Sequence, residues 1–423
     1  MRSYINDVFK KAGKVEVAGW VHEQRDLGKV RFLLLRDISG IIQITAHKDK
    51  ASKEVFELMN KLSRESVISV KGEIKPSQKA PGGKEIIPEK IEVVALAEGR
   101  LPVDVSDFSK TEISKRLDYR FLDLHRKRIQ AIFKIQSTIS TAFREHFIKK
   151  GFIEFQPPSI ISSASEGGTE LFPAKYFEKD AYLAQSPQLY KQMVACSMEK
   201  AMTITPVWRA EKHNTPRHLN ESRQMDIEMA FSGQKEVMKE LEEVVQYIVE
   251  QVIKNNKEEL ELLKLKLKVP KAVYLSYEEA IKKVKGKIGE DFTPEQERKL
   301  CEMYSGDVVF TYSWPTKIKP FYIMPKGEDA GAEYSEGFDA LYGGVEISSG
   351  GQRVHIPELL EKMIKKKKLN PKNFKYYIDS FRFGAPPHAG WSIGLERFTQ
   401  TLLGLDNIRE AVMFPRDRDR LVP

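Results

Sequence analysis

Short β-like runs follow one another through the first hundred residues. VEVAGWV from Val15, VRFLLLRD from Val30, GIIQITA from Gly40, SVISVKGEI from Ser66 and EIIPEKIEVVAL from Glu85 are rich in β-branched and apolar positions, which is the signature of strands. Gly, Asp, Lys and Pro separate them. One segment, SKEVFELMNKLS from Ser52, has helical spacing instead. Five short strands with one helical insert predict a small closed β-barrel of the OB type over residues 1–101.

A polar stretch, LPVDVSDFSKTEISKRLDYRFLDL, reads as a hinge over residues 102–128. From Ile129 the period changes. Ile132, Ile135, Ile139, Phe143 and Phe147 recur at helical spacing and stop near Gly151. Strand-like YLAQS, AMTITPVWRAE and MDIEMAF precede a long stripe of Val237, Leu241, Val244, Ile248 and Val252. The runs VVFTYSW, PFYIMP, FDALYGGVEISSG and YYIDSF also read as strands. Leu395, Phe398, Leu402 and Leu403 then mark a final helix that carries Glu396 and Arg397. Strands clustered around a few helices predict an α+β domain with a largely antiparallel sheet over residues 129–423.

Composition narrows the function. A chain of 423 residues exceeds one ordinary core, and 41% hydrophobic residues suffice to build two. A formal charge of +9 points to a polyanionic partner. Cys196 and Cys301 stand far apart and match no metal spacing, as expected of a reduced, cytoplasmic protein. No apolar run is long enough for a bilayer, and the first residues lack the apolar stretch of a signal peptide.

Three clusters carry candidate chemistry. VWRAEKHNTPRHLNE delivers Arg209 and Glu211 from an apolar strand into a loop with Arg217, His218 and Glu221. Such a loop is either a surface of salt bridges or a site whose cations meet a ligand. FDALYGGVEISSGGQRVH sets Asp339, Glu346, Ser349 and Arg353 among glycines. Asp339 and Glu346 are either ordinary strand residues or ligands for hydrated Mg²⁺, which takes one or two carboxylates plus phosphate oxygens. In QSPQLYKQ, Gln188 and Lys191 share a helix face. Arg397 is either a snorkelling arginine or a cation held rigidly for an anion. No Walker-type phosphate loop and no kinase signature is present.

Taken together, these segments resemble the class II aminoacyl-tRNA synthetases, and most closely the archaeal-type aspartyl enzymes, over essentially the whole chain. GFIEFQPPSII with Pro158 resembles the first class motif, VWRAEKHNTPRHLNE the second and GLERF with Arg397 the third; SEGGTELFP with Glu170 resembles the loop that closes over the amino acid. The resemblance implies ATP and L-aspartate as substrates, Mg²⁺ as cofactor, tRNA(Asp) and tRNA(Asn) as partners, a homodimer and no membrane. It implies ATP contacts from Arg209, Glu211, Arg217, His218, Glu346 and Arg397, with Arg209 and Arg397 catalytic. It implies a metal site at Asp339, Glu346 and Ser349, and aspartate contacts from Glu170, Gln188, Lys191 and Arg353. Two cations at the substrate side chain would favour a carboxylate over an amide by about 10² to 10⁴.

The barrel is expected to read the anticodon through Arg25, Phe32 and Gln43, Phe32 being otherwise a core residue. Relatives strict for tRNA(Asp) tend to carry Trp and Lys where this chain has His22 and Pro81, so the resemblance implies a relaxed enzyme. One departure stands out: Glu221 is followed by Ser222 and Arg223, where many relatives have an aromatic that stacks on adenine. The alternatives are an enzyme restricted to tRNA(Asp), an asparaginyl enzyme, a synthetase-derived enzyme with another product, and a plain single-stranded nucleic-acid binder.

Overall fold

The structure is a computed structural model that describes residues 2–106, 110–162 and 170–423. The chain divides into two compact units, Met1–Asp104 and Val105–Pro423. In the first, strands β1 (Gly13–Asp26), β2 (Val30–Arg36), β3 (Ile41–His47), β4 (Val67–Pro76) and β5 (Lys84–Ala95) close a barrel in the order β1-β2-β3-β5-β4. Helix α1 (Lys53–Lys61) is inserted before β4, and Ser52 caps it by accepting a hydrogen bond from the Val55 N–H. Alternation does the packing: Val17, Val21, Leu33, Leu35, Ile42, Ile44, Ile68 and Val70 are fully buried.

The second unit is built on an eight-stranded sheet. Its strands are β6 (Ile153–Glu154), β7 (Lys200–Trp208), β8 (Glu221–Ala230), β9 (Ala272–Ser276), β10 (Val308–Tyr312), β11 (Gly337–Tyr342), β12 (Val345–Gln352) and β13 (His388–Gly394). They lie in the order β9-β10-β11-β12-β13-β8-β7-β6. The outermost pair at each end is parallel and the rest are antiparallel. Helix α2 (Lys127–Lys149) and α4 (Gln234–Asn255) bury their apolar stripes in one core with α7 (Leu395–Leu403). Helix α3 (Gln188–Met198) packs on β7 and β8; α5 (Pro294–Met303) and α6 (Lys375–Arg382) complete the elements needed below.

Three expectations change. YYIDSF is helical, within α6, because Tyr377, Ile378 and Phe381 bury one face at helical spacing. Its aromatic and β-branched composition imitates a strand. PFYIMP forms only isolated bridges, at Ile323 and Pro325. Its two prolines lack the N–H groups a ladder needs. The segment expected as a hinge holds two short helices, Ile113–Asp118 and Arg120–Asp123. There Arg120 is fully buried and donates to the carbonyls of Met413 and Val412 at 2.9 and 2.8 Å. Charged residues that look solvated in sequence are thus internal ties.

The last strand and helix, β13 and α7, meet at Gly394. Glu396, in the first turn of α7, is buried and accepts the Arg223 N–H at 3.1 and 2.9 Å through its two oxygens. Burial nevertheless pushes its carboxyl up to about 7 from an ordinary 4.5. A carboxyl raised on folding favours the folded state while protonated, and that contribution disappears as pH climbs from 4.5 to 7. Glu396→Gln should therefore gain about 3 kcal/mol on wild type between pH 4.5 and pH 8. Chemical denaturation of both proteins across that range checks this; parallel stability curves would contradict it.

Candidate active site

Arg209 leaves the end of β7 and Glu221 opens β8, so the loop between them is a long hairpin connection. Asn220 organises it. Its buried side-chain amide donates to the carbonyls of Arg209 and Glu211 at 2.7 and 3.0 Å. Further along, the Thr215 hydroxyl accepts the Arg217 N–H and pairs with His218 Nδ1 at 2.6 Å. Burial, aided by Arg397, holds the His218 imidazole below its ordinary value against the pull of Glu211. Polar groups of the loop itself thus shape it, and its two cleft cations have only distant acidic partners, Arg217 lying 3.9 Å from Glu297 and His218 4.0 Å from Glu211.

A cleft of about 670 Å³ collects most of the expected residues. Toward one end lie Arg209, Glu211, Arg217, His218, Arg397 and Glu346. Gln188, Ser349 and Arg353 also line it. Arg397 projects from α7 and donates to the Glu346 carbonyl at 3.0 Å, so a rigid helix aims its guanidinium into the cleft. Lys191, Asp339 and Glu170 are not on the cleft wall. Glu170 is exposed: its carbonyl accepts the Ala210 N–H, and its carboxylate lies 3.3 Å from Lys212. Residues 165–169 of its closing loop lie outside the described residues.

Carboxylates crowd the neighbourhood of Arg397. Asp339 pairs across the ladder with Ser349, while a β-bulge at Ile347 brings Glu346 opposite Leu341 and re-aims it. Asp339 is held by Lys319 at 2.5 and 2.6 Å. Glu346 has no such cation of its own: burial and Asp339 push its carboxyl up to about 8. Burial also lifts Glu297 to about 7, and Asp291 rises through burial and Asp339. Glu346, with Ser349 beside it on the cleft wall, offers the hard oxygen donors that Mg²⁺ takes, whereas both oxygens of Asp339 are engaged by Lys319. Lys319 gave no signal beyond being one lysine in a lysine-rich stretch.

At the other end stands a buried ion lattice. Lys191 Nζ donates to Asp226 Oδ1 at 2.6 Å and to the Trp391 carbonyl at 3.0 Å, and lies 3.6 Å from Glu228 Oε2. Arg353 grips Glu228 through Nε at 2.8 Å and Nη2 at 3.1 Å. Ser392 donates to the second oxygen of Asp226 at 3.0 Å. Burial pushes both carboxyls up. Arg353 and Lys191 outweigh it at Glu228, which ends below its ordinary value, whereas Asp226 stays above. Gly390 makes the space: a Cβ there would lie 2.2 Å from the Ile227 carbonyl oxygen and 2.3 Å from Glu228 Oε2. The two cations are therefore not bare: each is already paired with a buried carboxylate of β8. Their signal was present in MDIEM, where two acids occupy one face of an otherwise apolar strand.

The barrel presents a second candidate surface. Phe32 is partly exposed and alternates with the buried Leu33 and Leu35 that follow it, so it faces outward. It pairs across the ladder with Arg25 on one side and Thr45 on the other. Gln43 shares that face and donates to Glu85 at 2.8 Å, as Thr45 does at 2.6 Å. His22 is the extra residue of a β-bulge in β1, with Nδ1 3.3 Å from Arg36 of the buried Arg36–Glu65 pair. Pro81 is exposed and opens the tight turn Pro81–Gly83, where Gly82 and Gly83 take φ of +72° and +75°.

Comparison with known proteins agrees with this geometry. The profile of tRNA synthetases class II (D, K and N) matches residues 112–418, and that of the OB-fold nucleic acid binding domain matches residues 15–94. An Aspartate--tRNA(Asp/Asn) ligase of Archaeoglobus fulgidus is 47% identical, with all of both chains covered. An Aspartate--tRNA(Asp) ligase of Pyrococcus horikoshii is also 47% identical, with 99% of each covered. Among solved structures, asparaginyl-tRNA synthetase of P. horikoshii complexed with asparaginyl-adenylate superposes with a TM-score of 0.95 at 35% identity, covering all of both chains. The aspartyl-tRNA synthetase of Entamoeba histolytica gives 0.89 at 34% identity, covering 100% of this chain and 93% of that one. The chain thus belongs to the class II tRNA synthetases of the D, K and N group and carries an OB-fold unit ahead of its synthetase unit.

Proposed function

We propose that this protein activates L-aspartate with ATP and attaches it to both tRNA(Asp) and tRNA(Asn). The observation that carries the amino-acid assignment is the lattice of Lys191 and Arg353 with Asp226 and Glu228. An ammonium has three donors and a guanidinium five. Two of the Lys191 donors are spent on Asp226 and Trp391, and two of the Arg353 donors on Glu228. The remaining donors, those of Arg353 on the cleft wall and the last one of Lys191 just behind it, are for the substrate's β-carboxylate. A lysine substrate would face two cations, and asparagine would forfeit charge-assisted hydrogen bonds of roughly 1.5–3 kcal/mol each.

The phosphate end follows from charge placement. Arg209 holds the α-phosphate as the aspartate carboxylate attacks phosphorus and pyrophosphate departs. Arg217, His218 and Arg397 hold the leaving pyrophosphate, and Glu211 orients the nucleotide end. Asp339, Glu346 and Ser349 would hold Mg²⁺, which when bound neutralises phosphate charge. Glu170 and Gln188 position the amino acid. Such a transfer depends on alignment and electrostatic stabilisation more than on a protein base. The aspartyl group then passes to the terminal adenosine of the tRNA.

On the barrel, Phe32 supplies a stacking platform, worth about 1–3 kcal/mol per base, with Arg25 and Gln43 beside it. The two tRNAs differ at the third anticodon base. His22 and the proline turn at Pro81 replace longer, more selective contacts, which favours acceptance of either base. Relatives restricted to tRNA(Asp) and relatives named for both are equally similar to this chain, so the assignment rests on these two residues. A homodimer is supported by the sheet edge: β6 is the last strand, and Ile148, Ile153 and Ile160 around it are about half exposed.

Lys191→Ala and Arg353→Ala should each lower aspartate-dependent pyrophosphate exchange at least a hundredfold while ATP still binds. Each should also cost about 3–5 kcal/mol of stability, since an acid is left buried and unpaired. A near-normal KM for aspartate in either variant would remove that residue from the pocket. Aspartylation of purified tRNA(Asp) and tRNA(Asn), side by side, should proceed at comparable kcat/KM. A preference beyond roughly a hundredfold, about 2.7 kcal/mol, would overturn the dual assignment. If both are charged, His22→Trp with Pro81→Lys should narrow the enzyme toward tRNA(Asp). Light scattering should give about twice the 48.5 kDa chain mass; a fully active monomer would contradict the dimer.

A further inference from the structure

The cleft contains side-chain polar atoms that the protein itself leaves unused. Among the described residues, Gln224 Oε1, Gln188 Nε2 and Ser348 Oγ are buried without a hydrogen-bond partner, and all three residues line the cleft. A buried group left unsatisfied costs about 1–3 kcal/mol. Several converging on one cleft mark where a ligand's own polar atoms belong.

Register locates Gln224 along that ligand. Ser222, Gln224, Asp226 and Glu228 alternate on β8 while Met225 and Ile227 on the opposite face are fully buried. Asp226 and Glu228 belong to the lattice that faces the substrate side chain. Glu221 pairs with Trp208, immediately before Arg209, which marks the phosphate end. Gln224 stands between, about 7 Å from either neighbour on its face. Its partner across the ladder on β13 is Gly394, which has no side chain to fill the space above it. A group placed between the side chain and the phosphate meets the α-carbon substituents of the amino acid.

We propose that Gln224 is a positioning residue for the amino acid, its Oε1 accepting a hydrogen bond from the substrate's α-ammonium. The inference rests on the synthetase reading above and adds an atom-level contact to it. An amide oxygen suits a cation without adding charge beside the α-carboxylate that must attack. Gln188 Nε2 and the Ser348 hydroxyl are the neighbouring groups free to serve the carboxylate.

The test compares Gln224→Leu, which removes the acceptor, with Gln224→Glu, which keeps it. Pyrophosphate exchange gives KM for aspartate and for ATP separately. Succinate, which is aspartate without its ammonium, serves as a competing ligand. Gln224→Leu should raise the aspartate KM about ten- to a hundredfold, with the ATP KM and the succinate inhibition constant nearly unchanged. Gln224→Glu should stay within a few-fold of wild type for aspartate. Equal weakening of aspartate and succinate, a parallel rise in the ATP KM, or a Gln224→Glu variant as impaired as Gln224→Leu would overturn the assignment. If wild type exchanges with asparagine instead of aspartate, the substrate reading falls. The ammonium contact is then tested by the same variants with asparagine and succinamate, and unequal weakening there would support it.

Discussion

Four charges buried together at the centre of β8 constrain the rest of the synthetase unit. Lys191 comes from α3, Asp226 and Glu228 from β8, and Arg353 from just beyond β12. None of the four is more than a few per cent exposed. Formal charges balance within the group, which is what makes such burial tolerable. Removing any one strands a partner at a cost of about 3–5 kcal/mol. The lattice therefore dictates its surroundings: Gly390 must lack a Cβ, Ser392 must donate to Asp226, and the Trp391 carbonyl must take a Lys191 proton.

Sheet geometry then converts that constraint into a reaction site. Alternation along β8 sets Gln224, Asp226 and Glu228 on one face, and Arg209 follows the end of the neighbouring strand on the cleft wall. The bulge in β12 re-aims Glu346, and the junction of β13 with α7 delivers Arg397 from a rigid helix. Electrostatics grade across the cleft. One end is neutral overall but rich in directed donors. The other mixes arginines with carboxyls that burial pushes toward protonation.

Much of this was legible in the sequence, for identifiable reasons. Strand alternation and the two long helical stripes repeated strongly, so the barrel and the main helices were readable. The motif residues Arg209, Arg217, His218, Glu346 and Arg397 do meet in one cleft because each stands at an element's end or a bulge, where local sequence is distinctive. What sequence did not reveal was pairing. Asp226, Glu228 and Lys319 are acids and a lysine of ordinary type, and their importance lies in partners 35 to 125 residues away or, for Lys319, 20 residues away. The helix at YYIDSF was misread because composition outweighed spacing. The polar segment around Arg120 was read as a hinge although Arg120 itself is an internal tie.

The resemblances to aspartate and asparagine enzymes leave the side-chain pocket as the decisive feature, and the lattice is the physical claim on which the account turns. Pyrophosphate exchange by the unmodified protein, driven in turn by aspartate, asparagine and lysine under identical conditions, tests it most directly. The account predicts exchange with aspartate and at least a hundredfold lower kcat/KM with the other two. Comparable exchange with asparagine, or exchange with lysine, would show that the four charges do not select a carboxylate.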